Sequence, residues 1–222
     1  DGVKDGLLTN PLACTFKAAE LACGKPGVDA ATCLSPAQVT AVQNVYDGPR
    51  TSWGKRLYPG KPVGSESGWP VWLLPGIAGQ GGFSFSFMNY LFFPNDPGPN
   101  YNWRDFNFDT DPPQGATMAR ILDAVDPDLS EFRGQGGKFI LYHGFGDGLI
   151  PPQRTIQYYE AVLEENHSLA RTQKFMRFFL APGMDHCGAI GGGLKDWDRL
   201  APIVNWVEKG VAPDAIIASQ SL

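Results

Sequence analysis

Charge is scarce in this 222-residue sequence, at 18% of residues, and histidine is scarcer, with three in all. Lys and Arg form no run, and the formal net charge is −5. A chain without a basic patch offers nucleic acid or an anionic membrane little to hold. No apolar stretch approaches the roughly 20 residues of a bilayer-spanning helix. The longest aromatic run, Phe83 to Phe93, is broken by Ser84, Ser86 and Asn89. Cys-x-x-Cys is absent, which argues against a zinc ribbon. No internal repeat is visible. The first residues, Asp1-Gly2-Val3-Lys4-Asp5-Gly6, lack the pattern of a signal peptide. They read as the middle of a turn-rich loop, so a further segment is expected upstream.

Glycine (27), proline (19) and aromatic residues (12%) are plentiful. That composition favours a loop-rich fold with aromatic-lined surfaces over a helical bundle. The length suits one large domain or two small ones. Of the four cysteines, Cys23 and Cys33 are spaced to close a short loop holding Gly24, Pro26 and Gly27. A disulfide there would stabilise by about 2–3 kcal/mol through loop closure. Cys14 and Cys187 are left to pair with each other or with cysteines outside this chain.

The two halves differ in texture. Up to about Asp128 the sequence is loop-rich. Ser35-Pro36-Ala37-Gln38 is a capping box with Pro at the first helical position, and Val39, Val42, Val45 and Tyr46 follow on one face. From Thr51 to Pro113 there is little period. Fourteen aromatic residues, from Trp53 through Trp69, Trp72 and Phe92 to Phe108, are interleaved with Gly, Pro and Asn. So long an irregular segment suggests a lid or a substrate wall, with a plain aromatic core under loops as the alternative. A short helix is expected from Met118 to Val125.

After Gly134 the pattern becomes regular. Lys138 to His143 reads as a buried strand. A glycine-rich turn holding Asp147 follows, and Pro151-Pro152 opens a helix to about Glu165 with Ile156, Tyr159, Val162 and Leu163 inward. Lys174 to Leu180 reads as a second strand, followed by Ala181-Pro182-Gly183-Met184-Asp185-His186-Cys187-Gly188. A last helix is expected from Asp196 to Lys209, with Leu200, Ile203, Val204 and Val207 inward and Gly210 at its C′ position. This alternation is the grammar of an α/β parallel sheet, whose working residues lie just past the carboxyl ends of strands. Asp147 and His186 both stand there.

Acyl transfer by serine needs a hydroxyl, a histidine to take its proton and a carboxylate to fix the histidine tautomer. In α/β-hydrolases the chain order is Ser, Asp, His. Asp147 and His186 fill the last two places. The first is empty. Gly64-Ser65-Glu66-Ser67-Gly68 has Glu66 at its centre, and Gly82-Phe83-Ser84-Phe85-Ser86 lacks the closing glycine. The nucleophile is therefore expected upstream of Asp1. Asp185 competes with Asp147, but adjacent residues rarely orient one another as a triad requires. His143 reads as a satisfied buried histidine and His167 as solvated surface.

Two segments carry a specific resemblance. His143-Gly144-Phe145-Gly146-Asp147-Gly148-Leu149-Ile150-Pro151-Pro152 is similar to the catalytic-aspartate segment of the tannase and feruloyl esterase family. Pro182-Gly183-Met184-Asp185-His186-Cys187-Gly188 is similar to its catalytic-histidine segment. The likeness continues through Asn205-Trp206-Val207-Glu208-Lys209-Gly210 and Pro213 to Ser219. It extends more weakly across the chain, including Tyr58-Pro59-Gly60 and Trp103-Arg104. One departure is Asp185, where a small residue is usual.

The resemblance implies an α/β fold: the carboxy-terminal part of an α/β-hydrolase sheet (131–222) plus most of an inserted, loop-rich lid domain (1–130). It implies that Cys187 bonds a cysteine beside the upstream nucleophile, that Cys14 pairs with another upstream cysteine, and that Cys23 pairs with Cys33. It also implies a structural calcium held by Asp1, the Val3 carbonyl, Asp5 and the Leu7 carbonyl, with a further ligand upstream. The spacing is near that of an EF-hand, but Leu12 stands where the closing acid belongs.

The expected activity is a secreted or periplasmic serine carboxylic ester hydrolase acting on esters of aromatic acids such as gallate or ferulate. This chain would supply Asp147 and His186 and be inactive without the disulfide-linked serine segment. The rival is a noncatalytic, calcium-stabilised binding module with a hydrolase-like fold. A metal site at Asp185, His186 and Cys187 ranks last, because three adjacent residues do not easily converge on one ion.

Overall fold

Residues 3–73, 80–188, 193–194 and 196–220 are described by the computed structural model. The chain divides into two compact units. One is Leu12–Ala124, and the other combines Asp1–Pro11 with Val125–Leu222. The sequence had suggested a division at 130/131 with residues 1–11 in the earlier part, so both edges differ. Leu7 explains the first: a Cβ placed on Gly183 would stand 2.4 Å from Leu7 Cδ2. Residues 125–130 are drawn into the later unit by the Tyr158 hydroxyl, which donates to the Asp126 carbonyl at 3.3 Å, and by Leu129 in its core.

In the Leu12–Ala124 unit, helix α1 (Pro36–Asp47) starts at the capping box. The Ser35 amide donates to Gln38 Oε1 at 2.8 Å, and the Gln38 amide returns a bond to Ser35 Oγ at 3.4 Å. The Cys23–Cys33 disulfide closes the loop before it. Helix α2 (Gln80–Phe87) runs into a π-helical turn, Met88–Phe92. This order was not expected from the sequence, because Phe83, Phe85 and Phe87 alternate like a strand rather than marking a helical face. Tertiary ring packing takes over. Phe92 meets Phe87, Phe93 and Phe106 edge-on at centroid distances of 5.0–6.0 Å, and Phe93 in turn meets Tyr101 at 5.0 Å. Helix α3 (Ala116–Leu122) ends the unit, slightly earlier than the sequence suggested.

In the second unit, β1 (Phe139–Gly144) and β2 (Met176–Ala181) pair in parallel, with Phe139 opposite Met176 and Gly144 opposite Ala181. A parallel pair needs a crossover. Helix α4 (Pro152–Asn166) supplies it, with Pro at its first position and His167 left-handed at its end. Val162 of α4, Phe175 and Met176 are buried at 0–2% exposure, with Leu129, Phe139, Leu141, Tyr158 and Tyr159 around them. Each fully buried apolar side chain of this kind contributes about 1.5–3 kcal/mol.

Helix α5 (Ala201–Lys209) is shorter than expected. Asp196 instead bridges to Ser219, each amide donating to the other's carbonyl. Gly210 closes the helix at φ 70°, its amide on the Trp206 carbonyl and the Val211 amide on Asn205. The inward face is corrected by the structure: Leu200, Val204 and Val207 are exposed, and Trp206 is the buried residue at 3%. Trp206 lies under the Lys138 and Arg177 cations at 5.6 and 5.8 Å. Periodicity defines an apolar stripe but does not fix which side of the helix meets the sheet. No helix among the described residues is long and apolar enough to cross a membrane.

Candidate active site

Register brings the two strand ends level, so the loops that leave them start side by side. They are sewn together at once. The Phe145 amide donates to the Ala181 carbonyl at 2.8 Å, and the Gly146 amide to Met184 at 3.0 Å. The approach at Gly144 leaves no room for a side chain: a Cβ there would stand 2.3 Å from the Met184 carbonyl oxygen. Phe145, Met184, Asp147 and Asp185 are all buried to 6% exposure or less.

Asp147 sits three residues past β1. Its Oδ1 accepts the Leu149 and Ile150 amides, both at 2.8 Å. Its Oδ2 faces His186 Nδ1 at 3.0 Å and His143 Nε2 at 3.3 Å. Burial alone would push this carboxyl up. The bonds from His143, the Ile150 amide, His186 and the Leu149 amide outweigh burial and hold it below the ordinary carboxylate range. An ionised carboxylate only accepts, so Nδ1 of His186 carries the proton. In the neutral ring the lone pair is then on Nε2, the form a general base needs. The His186 side chain keeps 33% exposure while that of Asp147 has 4%. The pair is a shielded carboxylate orienting an accessible imidazole.

Asp185, the odd acid, does not take the carboxylate role toward the imidazole in this geometry. Its Oδ1 accepts the His186 amide at 2.6 Å and the Gly148 amide at 3.1 Å. It thereby ties the β2 loop to the β1 loop through the backbone. The local sequence had not revealed this bridge. His143 was read as satisfied, and it does fill both ring nitrogens, but one of its partners is Asp147. Its position four residues before Asp147 was the available signal. His167 is exposed at the end of α4.

Neither serine motif forms an elbow. Ser65 is buried at 1%, its hydroxyl donating to the Pro62 carbonyl at 2.6 Å and accepting from Trp69 Nε1 at 3.0 Å. Ser84 and Ser86 lie inside α2. Cys14 and Cys187 carry no disulfide, and Cys187 is exposed at φ 54°. Of the expected calcium ligands, Asp1 lies outside the described residues. Val3 and Asp5 are exposed and Leu7 half-buried, and Asp5 Oδ1 accepts the Leu7 amide at 3.0 Å. An all-oxygen set suits calcium, but Val3, Asp5 and Leu7 supply fewer oxygens than the six to eight that calcium takes. Among the described residues no group of three or more His, Cys, Asp or Glu side chains could hold a metal. That includes Asp185, His186 and Cys187.

A shielded aspartate and a histidine, delivered past the ends of neighbouring parallel strands by loops in that order, define an α/β-hydrolase-type site. Within that class the chain belongs to the tannase and feruloyl esterase family, whose sequence profile, described as "Tannase and feruloyl esterase", matches residues 1–222. The chain is 33% identical over 260 aligned positions to an uncharacterized esterase of Xanthomonas campestris pv. campestris, covering 99% of this chain and 45% of that protein. It is 34% identical over 257 positions to a mono(2-hydroxyethyl) terephthalate hydrolase of Piscinibacter sakaiensis, covering 98% and 42%. The crystal structure of an esterase from Aspergillus oryzae superposes with a TM-score of 0.83 at 29% identity, covering 97% of this chain and 44% of that one. The chain thus spans less than half the length of the curated relatives it matches.

Proposed function

We propose that this chain carries the Asp and His of the triad of a serine carboxylic ester hydrolase that acts on esters of aromatic acids, such as gallate, ferulate or related aryl acids. The observation that carries the reading is the His186 Nδ1–Asp147 Oδ2 contact of 3.0 Å at the ends of paired parallel strands. His186 takes the proton of a serine hydroxyl as the oxygen attacks the ester carbonyl, then passes it to the departing alcohol oxygen. Water repeats the cycle on the acyl-enzyme. Asp147 stays ionised, fixes the tautomer and offsets the imidazolium charge that forms.

The nucleophile is supplied by an upstream segment or second chain, disulfide-linked through Cys187, and Cys14 bonds a further upstream cysteine. The aromatic stretch from Trp53 to Phe108 has the composition of a substrate wall. A structural calcium is held by Asp1, Asp5 and the Val3 and Leu7 carbonyls, with further ligands upstream. The Cys23–Cys33 disulfide supports a secreted or periplasmic location, where such bonds persist.

The test is a fluorophosphonate probe on unreduced native material, with the labelled peptide mapped. A label on a peptide that holds a Cys-Ser pair, linked to Cys187, supports the reading. A label on a serine within residues 1–222 overturns the upstream nucleophile. No label and no hydrolysis of aryl esters favours a noncatalytic binding module.

A further inference from the structure

His143 is a second histidine on the carboxylate that orients the first, and the triad chemistry does not use it. Its geometry fixes its hydrogen-bonding role. Nε2 is 3.0 Å from the Ile150 carbonyl oxygen and 3.3 Å from Asp147 Oδ2. Both of those atoms only accept, so Nε2 must carry a proton shared between them. Nδ1 lies 2.7 Å from the Thr155 hydroxyl of α4. A hydroxyl can donate to a bare Nδ1, an arrangement in which the proton sits on Nε2 alone. Of the groups that these ring nitrogens reach, Asp147 is the ionisable one. The side chain is held at 12% exposure between the end of β1 and the first turn of α4.

We infer that His143 is a positioning residue: through the Nε2–H tautomer set by Thr155, it holds Asp147 Oδ2 and limits how strongly that oxygen stabilises the His186 imidazolium. Two donors on one carboxylate oxygen compete. Each draws negative charge away from the other, so the His143 bond weakens the Asp147–His186 bond while fixing its direction. A histidine base needs its protonation near the working pH. A carboxylate oxygen shared with His143 stabilises a developing imidazolium less than an unshared one does. The contact of His143 Nδ1 with the Thr155 hydroxyl carries this link on to α4, so the orientation of the carboxylate is set through the helix as well as by the Leu149 and Ile150 amides.

The inference rests on the esterase reading for its catalytic meaning, but its test does not depend on activity. His143, His167 and His186 can each be assigned by substitution in nitrogen-15 and proton NMR spectra of the native protein. His143 is expected to show a protonated Nε2 and a bare Nδ1 near neutral pH. In His143→Leu the His186 titration should move upward by about half a pH unit or more, the scale set by losing one hydrogen bond to a charged group. His143→Gln, whose amide nitrogen can reach the same oxygen, should return it toward the parent value.

In an active preparation the acid limb of kcat/KM should follow these shifts, with kcat in His143→Leu reduced roughly tenfold. A ring protonated on Nδ1 with Nε2 bare overturns the inference without any variant, so a His143→Leu protein that fails to fold does not shelter it. So does an unmoved His186 titration in a folded His143→Leu protein. If aryl esters are not hydrolysed but the titrations behave as stated, the esterase reading falls and the positioning of Asp147 by His143 stands.

Discussion

Asp185 Oδ1 bonds the Gly148 amide at 3.1 Å and the His186 amide at 2.6 Å, so one buried oxygen joins the loop that carries Asp147 to the loop that carries His186. The Asp185 side chain therefore fixes the spacing of the two loops in this chain.

Asp185→Gly removes both bonds and strands two amides in a buried turn. It is expected to lower stability by about 2–4 kcal/mol, because bonds to a charged acceptor are worth roughly 1.5–3 kcal/mol each and are not additive. Asp185→Asn keeps an acceptor oxygen and should lose less than half as much. Chemical denaturation of the two variants beside the parent decides the matter. If the glycine variant unfolds with the parent, the bridge is dispensable.

Asp147 supports a pH prediction. Its folded carboxyl is held below the ordinary range. A depressed carboxyl contributes stability that is present above the unfolded value and is lost as pH falls through the folded one. Asp147→Asn should therefore be less stable than the parent at pH 7, and the gap should close as pH falls below about 4. Denaturation midpoints across that range test this, and a gap that stays constant with pH would falsify it. In an active preparation the same variant is expected to lower kcat by about a thousandfold or more, because the amide stabilises the wrong histidine tautomer.

Much of α1 and of the carboxy-terminal unit was legible in the sequence because their signals are local. The capping box at Ser35, the apolar runs of β1 and β2, the Pro-opened α4 and the C′ glycine at Gly210 each need only a few neighbouring residues to be read. What the sequence hid depends on contacts between distant segments. The exposed stripe of Leu200, Val204 and Val207 has the right period and faces the other way. The Phe83, Phe85 and Phe87 alternation hid a helix whose support is ring packing. Residues 1–11 join the later unit through Leu7 and Gly183, a contact across more than 170 positions that no local pattern encodes. At the site, the Asp147–His186 pairing followed from chain order and strand ends. The Asp185 bridge is a three-dimensional fact that composition and spacing could not supply, and the His143 bond to Asp147 left only the spacing of four residues as its signal.

The Cys23–Cys33 bond closes a loop of 10 residues' separation just before α1. Replacing both cysteines with serine should lower stability by about 2–3 kcal/mol, chiefly by freeing the unfolded chain. The bond belongs to the Leu12–Ala124 unit, so the His186 titration should not change. A shift in that titration would mean that the loop constrains more than its own unit.

The calcium proposal turns on Asp5, and its carboxylate has two roles that can be separated. Its Oδ1 already accepts the Leu7 amide at 3.0 Å, which holds the turn closed. Asp5→Asn keeps an acceptor for that amide but removes the charge that a hard cation needs. If the acidic loop binds calcium, adding the ion should raise the unfolding temperature of the parent. A concentration one hundred times the dissociation constant would add about 2.7 kcal/mol. Asp5→Asn should unfold like the parent in chelator and lose most of the calcium response, and magnesium at the same concentration should replace little of it. A parent whose unfolding is the same in calcium and in chelator would leave Asp5 as a turn former and remove the metal from the proposed architecture. A loss of stability by Asp5→Asn in chelator would show instead that the charge serves the turn itself.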